Sequence, residues 1–124
     1  MKALSLHPFY AVDIACGDKT EEFRSWQTPY RGDLLICSSQ YNDGPLFPRG
    51  YALCIVELYG IDKGQKGYSW HLRNLRPIVP FKVKGKLHLF EVDDHLIEPI
   101  VCDVPCTEDI LYQLWEDMGI VTLD

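Results

Sequence analysis

The chain has 124 residues, of which 47% are hydrophobic, and a formal net charge of −6. This length and apolar content are typical of one domain that buries its own core, and they call for no second domain. The sequence has no run of about 18 apolar residues and no apolar N-terminal segment of the secretory kind, so we expect a cytoplasmic protein without a membrane partner.

The first half of the sequence predicts one helix and several strands. Residues 3–6 are typical of a short strand, and Pro8 suits the first turn of a helix that runs to about Cys16, where Gly17 provides a left-handed C-cap. Residues 20–24 alternate between outward and inward positions. Residues 34–38 and 52–58 are apolar runs bounded by turn-forming residues, which is the pattern of buried strands.

The second half continues the series of strands and ends in a helix. Residues 68–74 and 86–92 alternate with a period of two, and residues 78–81 form a short segment punctuated by Pro77 and Pro80. Six or seven short strands indicate a barrel. Thr107 is placed to cap a final helix over about residues 107–118, whose apolar stripe includes Trp115 and must dock on another part of the protein.

Charge is distributed unevenly along the chain. All 12 Lys and Arg residues lie within residues 1–90, where only 8 of the 18 Asp and Glu residues lie, so that part carries a net charge of +4. The net charge of the whole chain discourages nucleic-acid binding, whereas this asymmetry indicates a basic working part with an acidic appendage over residues 95–124. The alternative is that the acids only solvate a C-terminal helix.

Cysteine and histidine residues show no pattern of a disulfide framework or a metal site. The odd number and wide scatter of the cysteines predict reduced thiols at Cys16, Cys37, Cys54, Cys102 and Cys106. His71, His88 and His95 stand on separate segments without ligand spacing, so we predict no zinc site. We predict no cofactor either.

The densest chemical signal is the run Gly17-x-Lys19-x-x-Glu22-x-Arg24-Ser25-Trp26, followed by Thr28-Pro29-x-Arg31-Gly32. It is preceded by Ala3-Leu4-Ser5-Leu6 and Pro8, and it is followed by apolar strands, Pro48-x-Gly50 and Tyr68-x-Trp70. Over residues 2–94 this pattern resembles the ASCH domain family (activating signal cointegrator homology), which is related to the PUA fold. Residues 95–124 fall outside the resemblance.

The resemblance implies a PUA-like small mixed β-barrel of the α+β class, with helices packed over its ends. With the strands and the final helix that the sequence pattern predicts, we expect a single domain over residues 1–124 that has about six strands and an extra C-terminal helix. It also implies a cleft that binds RNA or another nucleic acid, which suggests a role in RNA metabolism or translation-related regulation. A family fold does not settle the function by itself.

The residues of the motif fit a ligand that is anionic and planar. Arg24 and Arg31 each offer a planar fork for phosphate oxygens or a base edge, and Lys19 offers a point charge. Trp26 and Trp70 offer faces for an unpaired base, with core packing as the alternative. We therefore predict a cleft for single-stranded RNA or a nucleotide-like small molecule, lined by Lys19, Glu22, Arg24, Trp26 and Arg31. Ser5 and Trp70 are further candidates for its lining.

Glu22 separates binding from one kind of catalysis. On a strand, Glu22 and Arg24 project to the same face, where the carboxylate can orient Arg24 or accept a hydrogen bond from a base. In a small bacterial amidohydrolase of acetylated cytidine that resembles this family, the position three residues after the lysine holds a threonine nucleophile. Glu22 occupies that position here, so we do not carry that activity over and predict no catalytic residue with this chemistry.

Two other functional classes stay open. A hydrolase acting on RNA or modified nucleosides would use Lys19, Glu22 and Arg24, and a ribonuclease would add Ser5 and His7 as acid/base groups. A protein-interaction module would use the acidic final helix with Trp115, which also suggests a homodimer through that helix.

A second basic cluster follows the motif along the chain. Arg73, Arg76, Lys82, Lys84 and Lys86 occupy two adjacent segments that read as strands. On residues 82–86 the alternate lysines share a face that suits a wall along a nucleic-acid groove. The alternative is an edge strand whose lysines prevent pairing with other chains, with Gly85 at a turn or bulge.

Overall fold

One mixed sheet forms the centre of the structure, a computed structural model that describes residues 1–101 and 106–123. Within these residues the sheet has six strands, in the order β2-β5-β4-β3-β1-β6. Their bounds are β1 Lys2–Leu6, β2 Glu21–Arg24, β3 Gly32–Ser38, β4 Tyr51–Lys63, β5 Tyr68–Lys82 and β6 Phe90–Glu91. The pair β1 and β3 is parallel, and the other neighbours are antiparallel.

The predicted α+β class and the number of strands are confirmed. The sheet itself is a barrel only in a loose sense. No backbone pairing joins the outer strands β2 and β6 in the described part of the chain, so the sheet stays open. Barrel closure requires every strand to have two neighbours.

Two helices flank the sheet near the positions that the sequence predicts. Helix α1 spans Pro8–Ala15 and ends at Gly17, whose φ of 83° is the left-handed conformation expected of a C-cap glycine. Helix α2 spans Glu108–Asp117 and follows Thr107, whose side chain makes no capping hydrogen bond. A short 3-10 helix spans Asp94–Leu96. The predicted thiol of Cys102 lies outside the described residues.

Strand β5 joins two segments that the sequence pattern separates. Pro77 and Pro80 predict a break, but the strand runs through both prolines. Asn74 has a φ of 57°, and the pairing register between β4 and β5 shifts at three places along the strands. Such bulges absorb residues that cannot join a regular ladder, and so the strand continues.

Strand β6 is much shorter than predicted. Only Phe90–Glu91 pairs, and the residues before it form a loop in which His88 has a φ of 62°. Unlike Asn74, which lies within the bulged pairing of β4 and β5, His88 lies in a segment that pairs with none of the described strands, so the alternating pattern of residues 86–92 does not form one strand. As a result Lys84 and Lys86 lie in the loop of residues 83–89, and the prediction that they alternate on one strand is wrong.

The sheet buries apolar side chains on both faces. In β3, Leu34 and Ile36 pack into the larger core, which α1 and α2 cover, while Leu35 and Cys37 pack into a smaller core on the other face. From α2, Trp115 is fully buried in the larger core. The predicted docking of the final helix is thus confirmed, and the Trp115 side chain is held by the core.

Candidate functional site

A cavity of about 880 Å³, which we call the basic groove, opens where β1, β3, β4 and β5 meet two loops. Its lining includes the polar side chains of Ser5, Ser38, Ser39 and Gln40. Its lining also includes five basic residues, which are Arg24, Arg49, Lys82, Lys84 and Lys86. A concave surface of this size accommodates a nucleotide-sized ligand.

The groove is positively charged because its cations are not neutralised locally. Among the residues that the structure describes, no Asp or Glu lines it. Four of the cations make no ion pair with any carboxylate in residues 1–101 and 106–123, namely Arg49, Lys82, Lys84 and Lys86. Clustered charge of one sign in a cleft focuses the field and attracts anions.

Close backbone packing fixes the shape of the groove. The buried Ser38 hydroxyl bonds both the backbone N–H and the carbonyl oxygen of Tyr51, at 3.0 and 3.2 Å. Gly50 donates its N–H to the Ser38 carbonyl, and the Gly50 carbonyl accepts from Val83 at 2.9 Å. A Cβ atom added to Gly85 would lie 2.6 Å from the Ser5 hydroxyl oxygen, so this loop touches β1 directly.

The structure brings Lys19, Glu22 and Arg24 together, as the motif predicts. The Glu22 carboxylate lies 3.5 Å from the Lys19 ammonium and 3.2 Å from the Arg24 guanidinium. Glu22 is 5% exposed, and of the three residues only Arg24 lines the basic groove. Glu22 therefore positions Arg24 from the buried side of the groove wall, and the Arg24 guanidinium remains at that wall.

Neither tryptophan of the motif lines the basic groove, whereas the prediction placed both in the ligand cleft. Trp70 is fully buried, and its indole N–H donates to the Trp26 carbonyl at 3.2 Å, so it offers no face to a ligand and the prediction for it is corrected. Trp26 is half-buried between Trp70 and His88, with the Arg24 guanidinium 5.7 Å from its ring centre. Trp26 thus supports Arg24, through a cation–π contact.

Arg31 is not part of the groove. Its guanidinium is exposed and donates to the carbonyl oxygens of Thr28 and Tyr30, both at 2.8 Å. The residues that line the groove do not include it. The prediction that Arg31 joins Arg24 in one cleft is not supported, because Arg31 instead fastens the turn that leads into Gly32 and β3.

The second basic cluster divides into two parts. Arg73 pairs with Glu57 at 3.1 Å, and Arg76 makes a bidentate pair with Asp33 at 2.6 and 3.0 Å. These arginines are neutralised outside the groove. The three lysines of the cluster line the groove and carry its charge, as the nucleic-acid interpretation requires: Lys82, Lys84 and Lys86.

Sequence reasoning missed Arg49 and Gln40. Both residues line the groove, yet they belong to an irregular segment of residues 39–50 without periodicity. The only signal was the position of Arg49 between Pro48 and Gly50, in a Pro-x-Gly element that the resemblance already included. A cation inside a family motif warrants attention even where no strand or helix carries it.

The described residues give little support to a nucleophilic role for Cys16 or Cys37 or to a metal site. Burial raises the pKa of the Cys16 and Cys37 thiols to about 12, so both are protonated near neutral pH and are poor nucleophiles. In residues 1–101 and 106–123 no three His, Cys, Asp or Glu side chains converge to hold a metal ion. None of the helices in that part of the chain is long and apolar enough to traverse a bilayer.

Comparisons with known proteins agree with this fold. Three solved structures of an ASCH protein from Zymomonas mobilis are similar at 17% identity: the protein itself, a tyrosine-to-phenylalanine mutant and a serine-to-alanine mutant. The chain superposes on them with TM-scores of 0.59, 0.60 and 0.62 respectively. The matches cover 76%, 75% and 78% of this chain and 88%, 90% and 96% of the other chains.

No curated protein matches the sequence significantly. The family model described as the ASCH domain matches residues 4–93, which is most of the chain and nearly the segment of the predicted resemblance. The chain therefore belongs to the ASCH domain family.

Proposed function

We propose that this ASCH domain binds single-stranded RNA, or a nucleotide-like part of it, through the basic groove, in RNA metabolism or translation-related regulation. One observation carries the proposal: within residues 1–101 and 106–123, five cations and no carboxylate line a single cavity, in a chain whose net charge is −6. A protein with an excess of acids that keeps one cavity free of them has a local surface suited to phosphate.

The side chains of the groove suit a phosphodiester backbone. Arg24 and Arg49 present planar forks that match two phosphate oxygens, while the lysines present point charges on flexible stems. Ser5 and Gln40 add neutral hydrogen-bonding groups of the kind that contact ribose hydroxyls or base edges. Binding by such a set depends strongly on salt, because each phosphate contact releases counterions.

The test is fluorescence anisotropy with a labelled RNA octamer of uridines at several salt concentrations. Arg24→Ala and Lys84→Ala should each weaken binding and reduce the slope of log K against log salt by about 0.7, the value for one phosphate contact on a single strand. Arg31→Ala and Arg73→Ala are matched controls, because both arginines are exposed and lie outside the groove. Equal losses in all four variants would rule out a site in the groove.

The competing proposal is hydrolysis of RNA or of modified nucleosides. The observation that favours it is the contact of one buried carboxylate with two cations, Lys19 and Arg24, beside the groove. Incubation with single-stranded RNA and with acetylated cytidine, followed by product analysis, tests it. Turnover that Glu22→Gln abolishes would replace binding by catalysis as the function.

A further inference from the structure

A second cavity lies next to the basic groove, and the proposed function does not use it. This hairpin cleft has a volume of about 430 Å³ and lies between the end of β2 and the turn of residues 64–67 that joins β4 to β5. Arg24 lines both the cleft and the groove. The two cavities therefore share one residue, Arg24, whose carbonyl oxygen lies against Gly67 of the turn.

The cleft has an exposed aromatic residue at its wall. Phe23 and Tyr68 both line it, and Phe23 is 66% exposed although it is a large apolar residue in a strand. The Lys19 ammonium lies 5.5 Å from the centre of the Phe23 ring, but Lys19 does not line the cleft, so this cation leaves the cleft open. The amide of Gln65 and the ammonium of Lys66 provide polar groups at its wall.

The wall opposite Phe23 is fixed by close backbone contact. The Gly64 N–H donates to the Gly67 carbonyl at 2.7 Å, which closes the turn. Gly67 has a φ of 155°, and a Cβ atom added there would lie 2.6 Å from the carbonyl oxygen of Arg24. Only glycine permits this approach, so the turn rests on the end of β2 and sets the width of the cleft.

We infer that the hairpin cleft is a base-binding subsite for an unpaired nucleobase of the RNA strand whose phosphates occupy the basic groove, an inference that rests on the proposed function. Arg24 links the two parts, because it lines both cavities on the outer strand β2, so a strand whose phosphates lie in the groove passes the mouth of the cleft where it rounds this edge of the sheet. The exposed Phe23 ring stacks on the base. The subsite requires a ligand with unpaired, splayed bases, since a base inside a duplex cannot enter a cleft.

The physical contributions of the two cavities are separable. The groove binds chiefly the phosphate charge, which both octamers carry, whereas the cleft binds the flat surface of a base and tolerates any base. An abasic octamer has the phosphates of the RNA octamer but nothing to stack. It therefore reports on the groove alone.

The experiment compares Phe23→Ala with the wild type on the uridine octamer and on an abasic octamer of equal length. Loss of base stacking should weaken binding of the uridine octamer about 5- to 150-fold and leave binding of the abasic octamer unchanged. Phe23→Tyr should retain affinity, because it keeps an aromatic face. Tyr59→Ala is the matched control, since Tyr59 is an exposed aromatic residue under a cation, Arg73, and lines neither cavity.

The outcomes separate the subsite from the groove. Equal weakening of both octamers by Phe23→Ala, or no weakening of either, overturns the subsite. Binding of the abasic octamer that Arg24→Ala and Lys84→Ala leave unchanged would instead sink the proposed function. Phe23 is exposed enough for the variant to fold, and Phe23→Leu replaces it if a thermal melt shows otherwise.

Discussion

The carboxylate of Glu22 holds the guanidinium of Arg24 at 3.2 Å, two residues along the same strand. Alternation in β2 puts both side chains on one face, where Glu22 is buried and Arg24 reaches the groove. The buried acid thus determines the position of a cation that belongs to the binding surface. Stability and recognition are coupled at this pair.

Glu22→Gln should lower the free energy of unfolding by about 1–3 kcal/mol, because it leaves two cations without their buried partner. Urea denaturation measures the loss. Glu57→Gln is the control, since it breaks the more exposed pair with Arg73 and should cost less than about 1 kcal/mol. Equal costs for the two variants would contradict a special role for the buried carboxylate.

Gly85→Ala should weaken RNA binding and lower stability by about 1–3 kcal/mol, the usual cost of overpacking. The added Cβ would lie 2.6 Å from the Ser5 hydroxyl oxygen and 3.0 Å from the Ser5 Cβ, so the loop with Lys84 and Lys86 must move off β1. Anisotropy and thermal melting measure the two effects. Gly64→Ala should be milder, because a Cβ atom there would lie at an ordinary 3.5 Å from the Gly67 carbonyl oxygen; a result in the reverse order would refute this contact.

The ion pair of Asp33 and Arg76 should give stability a specific pH dependence. Hydrogen bonds and charge from Arg76 lower the pKa of the Asp33 carboxyl, so the pair stabilises the fold fully above about pH 4. That contribution is lost as the pH falls through the lowered folded-state pKa.

The free energy of unfolding of the wild type should therefore exceed that of Asp33→Asn by less than about 1 kcal/mol at pH 6, since the pair is partly exposed. This difference should shrink as the pH falls below 4 and through the lowered pKa of the Asp33 carboxyl. Urea titrations across that range measure it, and Arg76→Gln should remove the same pH-dependent part. A difference that stays constant with pH would show that the pair does not titrate as inferred.

Asn74→Gly should leave stability unchanged or raise it slightly, whereas Asn74→Val should lower it by about 1–2 kcal/mol. The φ of 57° at Asn74 suits asparagine or glycine and penalises a β-branched side chain. Thermal unfolding of the two variants measures the difference. Similar melting temperatures would argue against the left-handed bulge in β5.

The local patterns predicted both helices and most strands because each carries its own signal. Gly17 and Pro8 delimit α1, and alternation places Glu22 beside Arg24. Each of these signals depends on a few neighbouring residues, so it can be recognised in a single sequence.

The errors came from long-range contacts. Trp70 looks like a ligand platform in the sequence, but its burial depends on α1, α2 and the rest of the core. Arg31 matches the motif, yet its guanidinium bonds the carbonyl oxygens of its own turn. Arg49 enters the groove only because residues distant in sequence fold around it. No local pattern specifies such an assembly.

Because the three tryptophans are buried to different degrees, the intrinsic fluorescence of the domain can report ligand binding. Trp70 and Trp115 are fully buried, while Trp26 is partly open and lies beside Arg24 at the groove. A collisional quencher such as acrylamide should reach the Trp26 indole far more readily than the other two. Changes in emission when a ligand enters the groove will therefore originate mainly from Trp26, and binding can be followed without a label on either partner.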